Sequence, residues 1–435
     1  MRLFDSEALQ PGVSRREVAA WAGYDFANSG YTTVVLTTVY SQFFVGVVAA
    51  QTTYPTSVWT WVLAISNALV LLLSPLVGAY ADLRAKKKAL LLASTVGCVA
   101  GTLLLGFPGE GEVLAASAAL IVSNLFFMLG MALVAAFLPE LARPHALGKV
   151  SGWGWSFGYF GGLLTLGACL AYVIWARKQG QEAAQFVPVT LWLTAAIFAV
   201  AATPTFLVLR ERAQPQRDAA VGGTVAASFA RLWQTLGQWR RHRDFMLLLV
   251  CGAFYQAGVT VVIALAAIYA AEVMKFSFEQ TMGLVLAVNV TAAIGAFAFG
   301  YVQDWLGHRR ALALTLAGWI AMVAIAASTS NVAWFWVAAN LAGLCMGSSQ
   351  SAGRAMVGAV APRDRLAEFY GLWMLATQIA SIAGPLAYGA VMIATGNAHR
   401  TAIAFTGLFF VVGLLVLSFV DVERGRRAAQ LPAPA

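Results

Sequence analysis

Long apolar runs separated by short polar intervals set the plan of this chain. Twelve runs can be counted, at roughly 18–48, 58–82, 88–107, 113–138, 149–175, 187–209, 245–271, 281–303, 310–328, 332–357, 366–394 and 401–420. Most are long enough to cross ~30 Å of hydrocarbon as a helix. They are continuous rather than alternating, and only helices or closed barrels satisfy their backbone in lipid, so the pattern predicts helices. The expected fold class is an all-α polytopic membrane protein with 12 transmembrane helices. The first run also carries polar residues. Asp25, Asn28 and Thr32 fall on one helical face, with Tyr24 and Tyr31 on an adjoining one. A carboxylate at that place must face a partner or a wet cavity, because its charge is costly in the bilayer.

Composition agrees. Hydrophobic residues make up 60% of the chain and charged residues 11%, against roughly 25% charged in ordinary globular domains, and mean hydropathy is +0.74. The net charge of +9 lies in short clusters between the runs, which speaks for topology signals and against a nucleic-acid partner. With an even number of spans both termini share one side. If that side is cytoplasmic, 24 of the 28 Lys and Arg are inside or at its edge, and only Arg177, Lys178, Lys275 and Arg400 lie outside. The expectation is therefore a multi-pass protein of a bacterial inner or plasma membrane with cytoplasmic termini. Residues 1–17 are polar and the first run is too long for a signal-peptide core. Cys98, Cys169, Cys251 and Cys345 all lie inside runs and form no Cys-x-x-Cys pair, as small core residues do.

The longest polar interval, 210–244, holds Arg210, Arg212, Arg217, Arg231, Arg240, Arg241 and Arg243. Phe229, Leu232, Trp233, Leu236 and Trp239 recur there at helical spacing, which predicts a basic amphipathic helix lying on membrane lipid. The interval divides the chain into an N-terminal tail (1–17), a six-run half (18–209), this linker, a second six-run half (245–420) and a C-terminal tail (421–435). The halves repeat. Gly78-x-x-x-Asp82 precedes Arg84, Lys86, Lys87 and Lys88, and Gly300-x-x-x-Asp304 precedes His308, Arg309 and Arg310. Asp82 and Asp304 are 222 residues apart, Gly162 and Gly384 also 222, and Pro139 and Pro362 are 223 apart. Matching offsets at matching topological places indicate an internal duplication. In each copy the Gly permits close helix approach, and the Asp is placed to meet loop bases or a neighbouring helix N-terminus.

Little in the chain suggests catalysis. Gly154-Trp155-Ser156-Phe157-Gly158 fits a nucleophile-elbow pattern, but it lies inside an apolar run, and His145, His242, His308 and His399 all fall in loops. Gly154, Gly158 and Gly162 read instead as a packing stripe. No zinc spacing, phosphate loop or dinucleotide fingerprint occurs, so no cofactor or metal is expected. Candidate solute contacts at membrane depth are Asn28, Tyr31 and Thr32 in run one, Asn124 in run four, Tyr255 and Gln256 in run seven, and Asn289 in run eight. Asn340 and Gln350 in run ten and Trp373 and Gln378 in run eleven complete the set. Asp25 is the candidate for proton coupling or for a substrate ammonium, although it lies only ~10 Å into its helix, where it could instead serve an inner gate. Glu140 and Arg354, near the ends of runs four and ten, are expected to form an ion-pair network at the cytoplasmic rim with Arg143 and Glu368.

Twelve spans, a central basic loop and the duplicated Gly-x-x-x-Asp loop resemble the major facilitator superfamily along the whole chain. The first copy has Leu83 and Ala85 where that signature carries a base and a Gly; the second has Trp305 but keeps Gly307. Three stretches resemble one branch, the vacuole-effluxer-like (autophagy-related) group. They are Tyr24-Asp25-Phe26-Ala27-Asn28-Ser29; Leu138-Pro139-Glu140 leading to Ser151-Gly152-x-Gly154-x-x-x-Gly158-Tyr159-x-Gly161-Gly162; and Gln350-Ser351-x-x-Arg354 leading to Glu368-Phe369-Tyr370-Gly371 and Gly384-Pro385. Phe26 and Gly353 depart from the group's Trp and Ser. The resemblance implies a monomeric secondary transporter with a cavity lined by runs 1, 4, 7 and 10. It implies alternating access for a small polar solute, an amino acid or related metabolite first, exported and driven by a gradient such as protons. Efflux of drugs or other amphipathic compounds, or a non-transporting receptor or channel, are the competing expectations.

Overall fold

The computed structural model describes residues 5–214, 233–235, 237–276, 278–396 and 398–430. The first half contains α1 (Arg15–Tyr31), α2 (Pro55–Arg84), α3 (Lys87–Leu104), α4 (Val113–Ala135), α5 (Leu147–Lys178) and α6 (Ala183–Val208). The second contains α7 (Arg243–Glu272), α8 (Phe278–Leu306), α9 (His308–Ser328), α10 (Val332–Val360), α11 (Leu366–Ala394) and α12 (His399–Ser418), and α13 (Val422–Gln430) follows. Among the described residues twelve helical segments are long and apolar enough to span a membrane, as the pattern predicts. Large apolar side chains such as Leu72, Leu164, Leu207 and Leu386 stay exposed, as a surface bathed in lipid requires.

Packing follows the duplication. In the first half α1 lies on α5 and α6, and α4 on α2 and α3; in the second α7 lies on α11 and α12, and α10 on α8 and α9. The halves meet mainly through α5 against α8 and α2 against α11, which are equivalent pairs under the repeat.

The first span departs from the expected continuous helix over 18–48. Beyond Tyr31 it widens into π-helix at Thr32–Thr38, returns to α at Val39–Phe43, and widens again at Phe44–Val48. Hydroxyls accompany the first widening: Thr33 Oγ1 donates to the Ser29 carbonyl at 2.8 Å and Thr37 Oγ1 to the Thr33 carbonyl at 2.9 Å. Such hydroxyl bonds compete with the regular ladder, and π-turns of this kind gather at functional places.

The N-terminal segment is held down. Leu9 bridges Ala142, Gln10 N–H donates to the Leu141 carbonyl at 2.9 Å, and Arg143 Nε donates to the Leu9 carbonyl at 2.7 Å. Part of the expected C-terminal tail is helix α13, fixed to the start of α7 by Arg424 on Asp244 at 2.7 Å. Both described ends therefore lie at one face of the bundle. Of the predicted linker helix, Phe229, Leu232 and Leu236, like Arg217 and Arg231, lie outside the described residues; Trp233 and Trp239 are described and exposed.

Candidate functional site

Two matching latches join the halves at the terminus-bearing face. At the α2/α11 crossing Gly78 meets the backbone of Ala367 so closely that a Cβ would collide with its carbonyl. Four residues on, Asp82 accepts the backbone N–H of Glu368, in the first turn of α11, at 2.9 Å. At the α5/α8 crossing a Cβ on Gly300 would stand 2.7 Å from the Gly148 carbonyl oxygen. Asp304 accepts the N–H groups of Gly148 and Lys149, in the first turn of α5, both at 2.9 Å. Each Gly-x-x-x-Asp thus brings a helix end of one half against a helix N-terminus of the other, where the free N–H groups and the dipole favour a carboxylate. The helix N-terminus, one of the two partners foreseen for these acids, is met at both crossings.

Deeper in the interface, Arg354 of α10 reaches into the first half. Its Nη1 donates to Asp25 at 2.7 Å, Nε to Ser151 Oγ at 3.0 Å and Nη2 to the Ser151 carbonyl at 2.8 Å. The guanidinium carbon lies 4.8 Å from the Trp21 ring centre and 5.5 Å from that of Trp155. Ser151 Oγ donates onward to the Ser351 carbonyl at 2.9 Å. The side chains of Arg354 and Asp25 are 7% and 6% exposed, so this is a buried ion pair across the halves. The expected Glu140–Arg354 network is therefore corrected. Glu140 pairs with Lys87 and accepts the Arg212 backbone N–H, while Arg143 is exposed and holds the N-terminal segment.

One turn outward from the ion pair lies a layer of carboxamides. Gln256 and Gln350 exchange two hydrogen bonds, at 2.8 and 3.2 Å, between α7 and α10. Asn28 is buried with neither its amide nitrogen nor its oxygen bonded, and the buried Tyr255 hydroxyl, near Trp373, is also without a partner. Gln378 donates to Met128 Sδ at 3.3 Å across the halves.

Other predicted contacts turn elsewhere. Tyr31 bonds Ser123 at 2.8 Å and Asn124 bonds Ser66 at 2.9 Å, both inside the first half. Thr32, Asn289 and Asn340 donate to carbonyls of their own helices. Among the loop bases, Arg84 is partly buried with its Nε unpaired, Arg309 donates to the Ser418 carbonyl, and Arg310 is exposed.

A cluster at the rim went unforeseen. The Glu211 carboxylate accepts the Lys87 N–H at 2.7 Å and the Lys88 N–H at 3.1 Å, capping α3. Arg212 forks onto Glu17 at 2.6 and 2.9 Å. The hydrogen bond and charge of Glu17 raise the Arg212 pKa. These residues sit far apart in sequence, and only the two spacings Trp21/Asp25 and Ser151/Trp155, each one helical turn, could have pointed to the Arg354 site.

The fold and its paired latches define a transporter of the major facilitator type. The pattern described as "Vacuole effluxer Atg22 like" matches residues 38–430, and the chain belongs to that family. It is 25% identical to the uncharacterized MFS-type transporter YxiO of Bacillus subtilis, over 94% of this chain and 96% of that protein. It is 24% identical to autophagy-related protein 22 of Kluyveromyces lactis, over 83% of this chain and 78% of the relative. The fold is similar to that of the human organic anion transporter MFSD10, with a TM-score of 0.72 at 15% identity over 94% of this chain and 100% of that one. It is also similar to the transporter FucP in its outward conformation, with a TM-score of 0.72 at 13% identity over 93% of this chain and 98% of that one.

Proposed function

We propose that this protein is a secondary active transporter that exports a small polar solute, an amino acid or related metabolite, by rocking its two halves about a mid-membrane site. The terminus-bearing face is read as cytoplasmic, from the distribution of Lys and Arg, and as closed in this state. One observation carries the reading: the latches and the Asp25–Arg354 pair bind the halves together at the same face. Opening that face breaks them all. Breaking one side of a buried ion pair costs about 3–5 kcal/mol because a charge is left uncompensated. In this reading a proton meets the charge of Asp25 when Arg354 withdraws, which couples solute movement to the proton gradient. The candidate binding layer is Asn28, Tyr255, Gln256 and Gln350; the unpaired amide of Asn28 and hydroxyl of Tyr255 offer donors and acceptors to a solute beside the paired glutamines. The glycine-flanked Ser156 sits in mid-helix on α5 rather than at a strand-to-helix turn, so the protein is read as a carrier and not an enzyme.

A thermal-shift screen of the purified protein against metabolites identifies the solute, since a ligand at ~100 times its dissociation constant adds about 2.7 kcal/mol of stability. Uphill flux of that solute in proteoliposomes is then compared with Asp25→Asn. The expected outcome is that the variant loses accumulation driven by a pH gradient. Full retention of gradient-driven accumulation by Asp25→Asn removes proton coupling through this residue.

A further inference from the structure

The residues that bond the Arg354 guanidinium or stack on it come from the other half of the molecule. Trp21 and Asp25 belong to α1, and Ser151 and Trp155 to α5. Gly154 makes the room: a Cβ there would strike Asp25, stand 2.6 Å from Arg354 Nη2 and 2.9 Å from Trp21. The two indole walls are held within the first half. Trp21 Nε1 donates to the Val134 carbonyl of α4 at 2.8 Å, and Trp155 packs on Tyr159 with ring centres 6.1 Å apart. Trp155 Nε1 is buried and unpaired, a donor left over for an acceptor group that a solute carries beside its cation. A carboxylate, a carbonyl, a hydroxyl and two indole faces around a glycine-made gap form a receptor for a flat organic cation.

We propose that Trp21, Asp25, Ser151, Gly154 and Trp155 form a binding cage for guanidinium-bearing solutes, in which Arg354 is a tethered occupant in this state. The proposal rests on the alternating-access reading above. When the halves part at this face, Arg354 leaves with the second half and the cage stays with the first. A free cation then takes the same hydrogen bonds to Asp25 and Ser151 and the same place between the indoles. A guanidinium is favoured over an ammonium because the three bonds that Arg354 makes use the planar fork, and two indole rings lie within cation–π reach of its carbon.

The test vacates the cage. Full-length Arg354→Ala is melted in detergent with ethylguanidinium, with ethylammonium, and with the uncharged isostere ethylurea. The expected result is a saturable rise of about 3 °C with ethylguanidinium, a smaller one with ethylammonium and none with ethylurea. The rise is absent in the double variant Asp25→Asn/Arg354→Ala. No rise, or an equal rise in the double variant, overturns the cage. Should Arg354→Ala not fold, the wild type decides. Proteoliposomes loaded with ethylguanidinium are expected to exchange it for the labelled cation, and Trp155→Leu to lower that exchange about tenfold. No exchange, or exchange unaffected by Trp155→Leu, overturns the proposal. The two readings fail separately: uphill flux of another solute with no response to ethylguanidinium defeats the cage alone, whereas binding to Arg354→Ala without uphill flux of any solute defeats the carrier.

Discussion

At the α5/α8 crossing the third residue of the capped helix is Lys149; at the α2/α11 crossing the third residue is Glu368. The backbone arrangement is the same, with a glycine in the crossing and an aspartate on the opposing helix start. The side chains are opposite in charge. Lys149 lies over the Tyr301 ring at 5.2 Å, close to the acid that caps its own helix. Glu368 is fully buried and accepts a hydrogen bond from Thr235 of the linker, which in turn accepts one from Arg365 at 3.0 Å. His242 packs edge-on against the neighbouring Phe369, with ring centres 5.2 Å apart. Duplication has kept the mechanical part of the latch and let its chemistry diverge. The α5/α8 latch draws on its own two helices, while the α2/α11 latch is also wired to the chain that joins the halves.

The largest effects should come from breaking what the latches share. Gly78→Leu and Gly300→Leu push a side chain into backbone, which costs at least the 1–3 kcal/mol of ordinary overpacking. Each is expected to hold the terminus-bearing face open and to reduce transport more than tenfold. Spin labels at positions 145 and 363 would then report a longer distance by pulsed resonance. An unchanged distance would mean that this close approach does not govern closure. Intermediate effects should separate the latches. Losing a helix cap costs about 1 kcal/mol, so Asp82→Ala and Asp304→Ala should each raise the open-state population severalfold, read from the same label pair. Thr235→Val should couple to Asp82→Ala by about 0.5 kcal/mol or more and be additive with Asp304→Ala. Equal coupling to both would show that the linker acts on both latches. The smallest effect is one of pH. Burial first, then the charges of Arg241 and Arg365, lower the pKa of His242 to about 4. Unfolded, it titrates near 6.5, so between about pH 6.5 and 4 the unfolded state binds a proton that the folded state refuses. Stability from this group is present above that window and falls as pH falls through it. Melting curves should show a steeper loss toward pH 4 for the wild type than for His242→Gln, and parallel curves would count against a buried neutral histidine.

The architecture was legible because lipid leaves so few choices. Apolar length alone marked the spans, and the recurrence of Gly78/Asp82 as Gly300/Asp304 marked the halves, while leaving each acid two partners, loop bases or a helix N-terminus. The candidate site was only half legible. Asp25 and Arg354 both stood out, yet each was assigned to other company, because a span count measures depth along a helix and not direction around it. Lys87 and Glu140 show the same limit. Both read as rim charges, and nothing local to either reveals that the start of α3 and the short helix after α4 bring them together. Asn289 and Asn340 looked like solute contacts because they are polar and deep, but a side chain that bonds the carbonyl one turn back satisfies itself at home.

The linker is anchored at each end to a different half. Glu211 and Arg212 are fastened to α3 and α1, and Thr235 to α11. Between those anchors run 22 residues, with a fully extended reach of about 70 Å. That exceeds any displacement a rocking bundle needs, so the connection imposes no stop on the stroke. Its thermodynamic role is that of a leash. It keeps each half in the presence of the other at an effective concentration on the order of millimolar. The latches then need not hold two separate molecules together, only two parts of one chain that are never far from meeting.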